Sequence, residues 1–472
     1  MQAHDTLYQK HVLIVGFARQ GIALTRWLTS IGAILTVTDA RKSTDILEPL
    51  EQFPDVNFVL GEHPLSLLDN IDLICVSGGV PLDLPLLKEA KYRQIPLTND
   101  AQLFLERSPA PVIGITGSAG KTTTTALVAH ILRHAEYTVW MGGNIGNVLL
   151  DNLDEIKPDD VVVMELSSFQ LELMHISPRI AALLNLTPNH LDRHGTMEAY
   201  TTAKANIMLH QSAQDVFVLN HDDIIVHALE PYAAAECVWF SKSRLLPSGA
   251  FMTGSRLTIA GAASWDNLPH VLMDKSEIPL RGEHNLMNVL AACAITGALG
   301  LAIDRPGLDP DILVQAIKTF QSVPHRLQPI RTLNQVTYIN DSIATAPERM
   351  LAALTSFEEP LVLLLGGADK DLPWQSAIPF ILARSRYVIV FGHEGPKQVR
   401  SIVPPLFEQA HADLSKIIVV DTLNDAVRIA SEKAQPGDVV LLSPGGTSYD
   451  AYKDFEERGQ HFTRLVQELS EN

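Results

Sequence analysis

Short apolar runs alternate with longer stretches of helical periodicity along the whole chain. Residues 12–15 form an apolar run, followed by the turn Gly16-Phe17-Ala18-Arg19-Gln20-Gly21 and a helical pattern through Trp27 and Leu28. A second run, 34–38, ends at Asp39 and Arg41. Strand, glycine turn, helix and strand predict the opening of a parallel βαβ unit. A further strand over 73–76 ends in Ser77-Gly78-Gly79-Val80-Pro81. Beyond the linker Ser108-Pro109-Ala110-Pro111, strands are predicted at 111–116, 161–166 and 180–186, with helices at 122–132 and 284–299. Beyond Asp304-Arg305-Pro306, strands are predicted at 336–339, 361–365, 387–391, 417–420 and 439–442. No fixed-period repeat or low-complexity stretch interrupts the alternation. The pattern predicts an α/β protein in three modules, 1–108, 109–305 and 306–472.

Composition narrows this. A chain of 472 residues is too long for one core. Its 46% apolar and 19% charged content is that of a globular protein, which excludes disorder. A formal net charge of -18 argues against non-specific nucleic-acid binding, though a site can still be locally positive. Cys75, Cys237 and Cys293 are scattered and form neither a disulfide framework nor a CxxC zinc pattern. The N-terminal apolar run is too short for a signal peptide, and no apolar stretch approaches the ~20 residues of a membrane span. A cytoplasmic monomer without nucleic-acid partners or membrane insertion is expected.

The strongest motif is Gly114-Ile115-Thr116-Gly117-Ser118-Ala119-Gly120-Lys121-Thr122-Thr123. It follows an apolar strand and opens a helix. Glycines such as Gly117 and Gly120 let backbone N–H groups curl around phosphate oxygens, and the helix N-terminus adds its dipole. Lys121 can reach the terminal phosphates of a nucleotide, and the Thr122 hydroxyl can ligate Mg²⁺. Glu165, at the end of the next predicted strand, is either a metal-holding carboxylate or an ordinary strand-end acid. His190, in Asn185-Leu186-Thr187-Pro188-Asn189-His190-Leu191-Asp192-Arg193-His194-Gly195, is either a ligand or a satisfied loop histidine. Lys204, by composition alone, is a surface lysine of a helix. The Gly16 turn loosely fits a dinucleotide fingerprint, with Asp39 near the position of a ribose-binding acid, or it merely joins strand to helix.

Taken in order, these blocks resemble the Mur ligase family. So do Gly142-Gly143-Asn144-Ile145-Gly146, Glu165-Leu166-Ser167-Ser168-Phe169-Gln170, Ala203-Lys204, Gly282-Glu283-His284-Asn285, Asn288, His325-Arg326, Asn340-Asp341-Ser342 and Leu442-Ser443-Pro444. The resemblance spans nearly the whole chain, and the run Ser448-Tyr449 to Arg458-Gly459 is most similar to glutamate-adding members. It implies a Rossmann-like N-terminal domain for a UDP-linked substrate, a central P-loop domain with a parallel sheet, and a Rossmann-like C-terminal domain for the amino acid. It implies an ATP- and Mg²⁺-dependent ligase that joins glutamate to UDP-N-acetylmuramoyl-L-alanine through an acyl phosphate.

By the same resemblance, Gly117, Gly120, Lys121, Thr122 and Thr123 would hold ATP phosphates, and Thr122, Glu165, His190 and a carbamylated Lys204 would hold Mg²⁺. Asn285, Asn288, Arg326 and Asp341 would fix the nucleoside. Gly16, Arg19, Gln20, Asp39, Arg41, Ser77, Gly79 and Asn144 would contact the UDP-linked substrate. Thr345, Lys370, Ser448, Tyr449 and Phe455 would grip glutamate. The chain departs from the pattern at Ile343, where many glutamate-adding members have lysine, at Ala346, at Ser118-Ala119 and at Ser77-Gly78-Gly79. Ile343 removes a cation near the amino-acid site and so bears on which glutamate enantiomer is taken. The alternatives are a sister ligase with another acceptor, including a folylpolyglutamate-synthetase-like one, a nicotinamide oxidoreductase built on the Gly16 turn, and a non-catalytic nucleotide-binding partner.

Overall fold

A computed structural model describes residues 5–42, 51–264, 266–303 and 307–470, without the side chain of Asp192. The predicted boundary at Asp304-Arg305-Pro306 lies outside the described residues. The chain forms two compact units, Met1–Ile278 with Met287–Thr319, and Pro279–Leu286 with Phe320–Asn472.

The first unit carries two sheets. The N-terminal one contains β1 (His11–Val15), β2 (Ile34–Asp39), β3 (Asn57–Leu60), β4 (Leu73–Val76) and β5 (Leu97–Thr98), all parallel, in the order β3-β2-β1-β4-β5. The chain leaves β1 towards β2 on one side and later returns to β4 on the other. That reversal opens a crevice at the C-terminal ends of β1 and β4, where Gly16 and Ser77 lie.

The larger sheet contains β6 (Val112–Thr116), β7 (Val139–Gly143), β8 (Val161–Glu165), β9 (Ile180–Leu183), β10 (Val216–Asn220), β11 (Glu236–Ser241), β12 (Gly249–Thr253), β13 (Arg256–Gly261) and β14 (Asn267–Asp274). Its order is β14-β13-β12-β11-β10-β9-β6-β8-β7. Strands β6, β8 and β9 are buried along their whole length, as strands covered on both faces must be, and this makes their sequences continuously apolar. The sheet is parallel from β7 through β12, but β13 and β14 add antiparallel strands that the expected all-parallel sheet lacked.

The second unit holds β15 (Gln328–Leu333), β16 (Val336–Asn340), β17 (Leu361–Gly366), β18 (Ser385–Phe391), β19 (Ile417–Val420) and β20 (Val439–Gly445), in the order β15-β16-β20-β17-β18-β19. Only β15 runs antiparallel to its neighbour.

One expectation needs correction. The helix Glu283–Ala302 is 20 residues long, with a mean hydropathy of 1.6 over its most apolar window, so an apolar stretch of span length does exist. That window is 89% buried within the protein, and core burial accounts for its composition.

Candidate functional site

The C-terminal ends of β6, β8 and β9 converge on the glycine-rich loop. Gly120 takes φ +82, a left-handed conformation that favours glycine, and a Cβ there would lie 2.3 Å from Asn288 Oδ1. Asn288 Oδ1 also accepts the Thr124 hydroxyl at 3.3 Å, so helix Glu283–Ala302 buttresses the loop from behind. On its other side the loop pairs with Asn185. The Ser118 N–H donates to Asn185 O (3.0 Å), the Ala119 N–H to Asn185 Oδ1 (2.8 Å), and Asn185 Nδ2 to Ala119 O (3.1 Å). Helix Lys121–His134 starts directly from this frame. The buried Thr123 Oγ1 has no hydrogen-bond partner among the described residues.

Six of the predicted residues, Gly117, Lys121, Thr122, Asn144, Glu165 and Lys204, meet here. Thr122 donates its hydroxyl to Glu165 Oε2 at 2.8 Å, while Glu165 Oε1 accepts from Asn144 Nδ2 at 2.9 Å. Lys121 Nζ and Lys204 Nζ both donate to Gly117 O at 3.0 Å, and Lys204 Nζ also donates to Thr116 Oγ1 at 3.1 Å. Glu165 is 2% exposed, as strand burial requires. Lys204 is also 2% exposed, which overturns its reading as a surface lysine. Burial first, and then the neighbouring Lys121 charge, push the Lys204 ammonium well below its ordinary pKa, with Glu165 opposing. A buried amine beside a carboxylate and a glycine-rich loop is the setting in which a lysine loses its proton more readily than in water.

An oxygen-rich set of Thr122 hydroxyl and Glu165 carboxylate suits Mg²⁺. Among the described residues no three His, Cys, Asp or Glu side chains form a ready-made metal cage, so an ion here would draw further ligands from phosphate or water. His190 is exposed, takes φ +53, and packs edge-on against Phe169 at 5.2 Å. His194 stacks on the same ring at 5.3 Å and pairs with Ser168 Oγ at 2.9 Å. The Glu165–Gln170 and His190–Gly195 blocks therefore form one aromatic wall.

In the N-terminal crevice Gly16 takes φ +91, and a Cβ there would meet Ser77 Cβ at 2.9 Å, so glycine lets the two strand ends close together. Asp39 is turned to holding this crevice. Its carboxylate accepts the Phe17 N–H (2.6 Å), the Arg41 N–H (2.9 Å) and the Arg41 guanidinium (2.9 Å). Burial alone would raise its pKa, but Arg41 and the two amides outweigh that and hold it at about 2. Ser77 Oγ is buried with no partner among the described residues, Gln20 lies against Gly78, and the Cβ direction of Gly79 is open. Arg19 donates to the carbonyls of Gly146 (2.8 Å) and Asn144 (3.1 Å), a cross-sheet role that its place in the Gly16 turn did not announce.

The second unit brings together its own predicted residues. Asp341 is buried and accepts from Ser443 Oγ (2.9 Å) and the Leu327 N–H (3.2 Å); burial pushes its carboxyl up to about 7 against those bonds and the nearby Arg326 and Arg349 charges. Asn285 Nδ2 donates to Arg281 O at 2.7 Å. Lys370 Nζ reaches Thr345 Oγ1 at 3.3 Å, and its pKa is lowered by burial and by Arg349. Ser448 is buried, Tyr449 is 78% exposed, and the Phe455 carbonyl accepts from Ser342 Oγ at 2.8 Å.

Sequence reading passed over Arg349. It lies four positions after Thr345, and its charge acts on both Lys370 and Asp341. The buried Arg458 was also passed over. It donates to Ser342 O (2.8 Å), Ser342 Oγ (3.0 Å), Thr447 O (3.1 Å) and Gly446 O (3.2 Å), joining the Asn340–Ser342 block to the Ser448 loop.

Three domain families match the chain in order: "Mur ligase MurD-like, N-terminal domain" over residues 10–99, "Mur ligase middle domain" over 115–296, and "Mur ligase, glutamate ligase domain" over 325–446. The UDP-N-acetylmuramoylalanine–D-glutamate ligase of Clostridium botulinum is 36% identical over 469 residues, 98% of each chain. That of Acetivibrio thermocellus is 36% identical over 462 residues, 98% of this chain and 97% of its own. Among solved structures, UDP-N-acetylmuramate–alanine ligase MurC of Thermotoga maritima shares the fold with a TM-score of 0.59 at 19% identity, covering 97% of this chain and 99% of its own. MurF of Acinetobacter baumannii does so with a TM-score of 0.57 at 17% identity, covering 99% and 93%. With the phosphate loop, the Glu165 block and the buried Lys204 in one place, and full-length identity at this level, the chain belongs to the Mur ligase family.

Proposed function

We propose that this chain is an ATP-dependent ligase that joins D-glutamate to UDP-N-acetylmuramoyl-L-alanine, a cytoplasmic step of peptidoglycan precursor synthesis. The observation that carries the chemistry is the Thr122–Glu165 pair and the desolvated Lys204 amine, all held by one phosphate loop. The acceptor follows from the full-length likeness to D-glutamate ligases.

In this reading the alanyl carboxylate takes the terminal phosphoryl group of ATP, and the glutamate amine then displaces phosphate from the acyl carbon. Carboxylate oxygen is a poor leaving group, which is why the activation is needed. Loop amides and Lys121 hold the nucleotide phosphates and offset the charge that develops on them. Thr122 and Glu165 would hold Mg²⁺, which would supply further charge neutralisation. Lys204 is poised to carry a carbamate. Its deprotonated amine forms an N–C bond to CO₂ and releases a proton, so that a group whose ammonium form would repel Mg²⁺ becomes an oxygen donor. Lys370, Thr345 and Ser448 form the glutamate grip, with Arg349 as an additional cation.

The test is the mass of the product formed from UDP-N-acetylmuramoyl-L-alanine, D-glutamate, ATP and Mg²⁺. A gain equal to one glutamyl residue supports the reading, and unchanged sugar nucleotide from protein that binds ADP overturns the acceptor.

A further inference from the structure

Two arginines cross in opposite directions between the N-terminal sheet and the central sheet. Arg19 reaches the Asn144 and Gly146 carbonyls in the loop after β7. Arg193 reaches the Gly79 (3.2 Å) and Val80 (3.0 Å) carbonyls in the loop after β4, with its guanidinium 4.4 Å over Phe169.

The two are not equivalent. The residue whose carbonyl Arg19 holds, Asn144, also grips Glu165 twice, through its own N–H to Glu165 O (2.9 Å) and through Nδ2 to Oε1 (2.9 Å). Glu165 in turn holds the Thr122 hydroxyl of the phosphate loop. A continuous chain of hydrogen bonds thus runs from the Gly16 turn, through Arg19, Asn144 and Glu165, to Thr122. A plain adhesive contact exists beside it for comparison. Arg26, on the same helix as Arg19, ion-pairs with Asp151, and among the described residues no hydrogen bond links that pair to Glu165.

We propose that Arg19 is a positioning residue rather than a substrate contact, and that it couples occupancy of the N-terminal crevice to the geometry of Glu165 and Thr122. A ligand that fixes the Gly16 turn fixes Arg19, which fixes the Asn144 loop and the carboxylate it carries. By linkage the effect is reciprocal, so ADP with Mg²⁺ tightens the crevice by the same factor. The inference rests on the reading of that crevice as the site of the UDP-linked substrate.

The full chain tests it by calorimetry. ADP affinity is measured in Mg²⁺ with and without saturating UDP-N-acetylmuramoyl-L-alanine, in wild type, Arg19→Met, Arg19→Lys and Arg26→Ala. Wild type and Arg26→Ala should show tightening of about tenfold, within the ordinary range of coupling. Arg19→Met keeps the apolar stem but loses both bonds, and should fall below about twofold with ADP affinity alone nearly unchanged. Arg19→Lys should recover part of the coupling. In turnover, Arg19→Met should lower kcat more than it raises KM for the sugar nucleotide. Undiminished coupling in Arg19→Met, or none in a wild type that binds both ligands, overturns the inference alone. A protein that binds ADP but no UDP-linked ligand overturns the functional reading and the inference with it.

Discussion

Replacing Lys204 by methionine should stabilise the nucleotide-free protein while removing its activity. The amine is 2% exposed, and its pKa is depressed first by burial and then by Lys121. Each unit of depression costs the folded state about 1.4 kcal/mol at neutral pH. Against this stand two hydrogen bonds to neutral oxygens, worth about 1 kcal/mol each. One of the two acceptors, Gly117 O, keeps Lys121 Nζ as donor after the substitution. The substitution therefore forfeits about one satisfied bond, about 1 kcal/mol, while it removes the burial penalty on the ammonium, and Lys204→Met, similar in volume, should melt above wild type at neutral pH.

The sign has a pH signature. The folded amine binds its proton less readily than the unfolded one, so the wild-type penalty is full below the folded pKa and vanishes as pH rises towards the ordinary value of 10.5. The advantage of methionine should thus be clear at pH 7.5 and absent near pH 10.5. Thermal melts at both values, in buffer freed of CO₂, provide the assay. A methionine variant that melts below wild type by the same amount at both pH values would contradict a burial penalty on the Lys204 ammonium.

Gly120→Ala places a methyl 2.3 Å from Asn288 Oδ1 in a left-handed conformation that alone costs about 1–2 kcal/mol, so ADP affinity should fall at least about tenfold, as titration calorimetry would register. Asp341→Asn should flatten the pH dependence of stability. The carboxyl at about 7 stabilises the fold fully below pH 3.8, and that contribution is lost as pH rises through 7. Urea melts should therefore favour the variant increasingly up to pH 7, by on the order of 4 kcal/mol at most, and show no further change above it. Glu165→Gln keeps the shape but removes the charge, so kcat should drop about a hundredfold while ADP affinity measured without Mg²⁺ stays near wild type.

The parallel core was legible because strands buried on both faces read as unbroken apolar runs. Strands β13 and β14 were not, since β14 is half exposed, contains Pro269 and shows no clean alternation. Strand β7 ends in two glycines, residues that weaken a strand signal. Lys204 could have been placed correctly. Tyr200, Ala203, Lys204, Ile207 and Met208 lie at the spacing of one buried helical stripe, and the lysine falls on it. The glycine loop announced phosphate chemistry through residue types that few other structures need. The links from Arg19 to Asn144 and from Asn288 to Gly120 join residues more than a hundred positions apart, and no local pattern encodes such pairings.

Phosphate release from ATP, measured in the presence of Mg²⁺ and UDP-N-acetylmuramoyl-L-alanine with D-glutamate, L-glutamate or no amino acid, decides both the reaction and its acceptor. Sustained release that requires D-glutamate is the predicted result. Release with L-glutamate alone would contradict the assigned acceptor, and no release with any of the three, from protein that binds ADP, would contradict the ligase reaction itself.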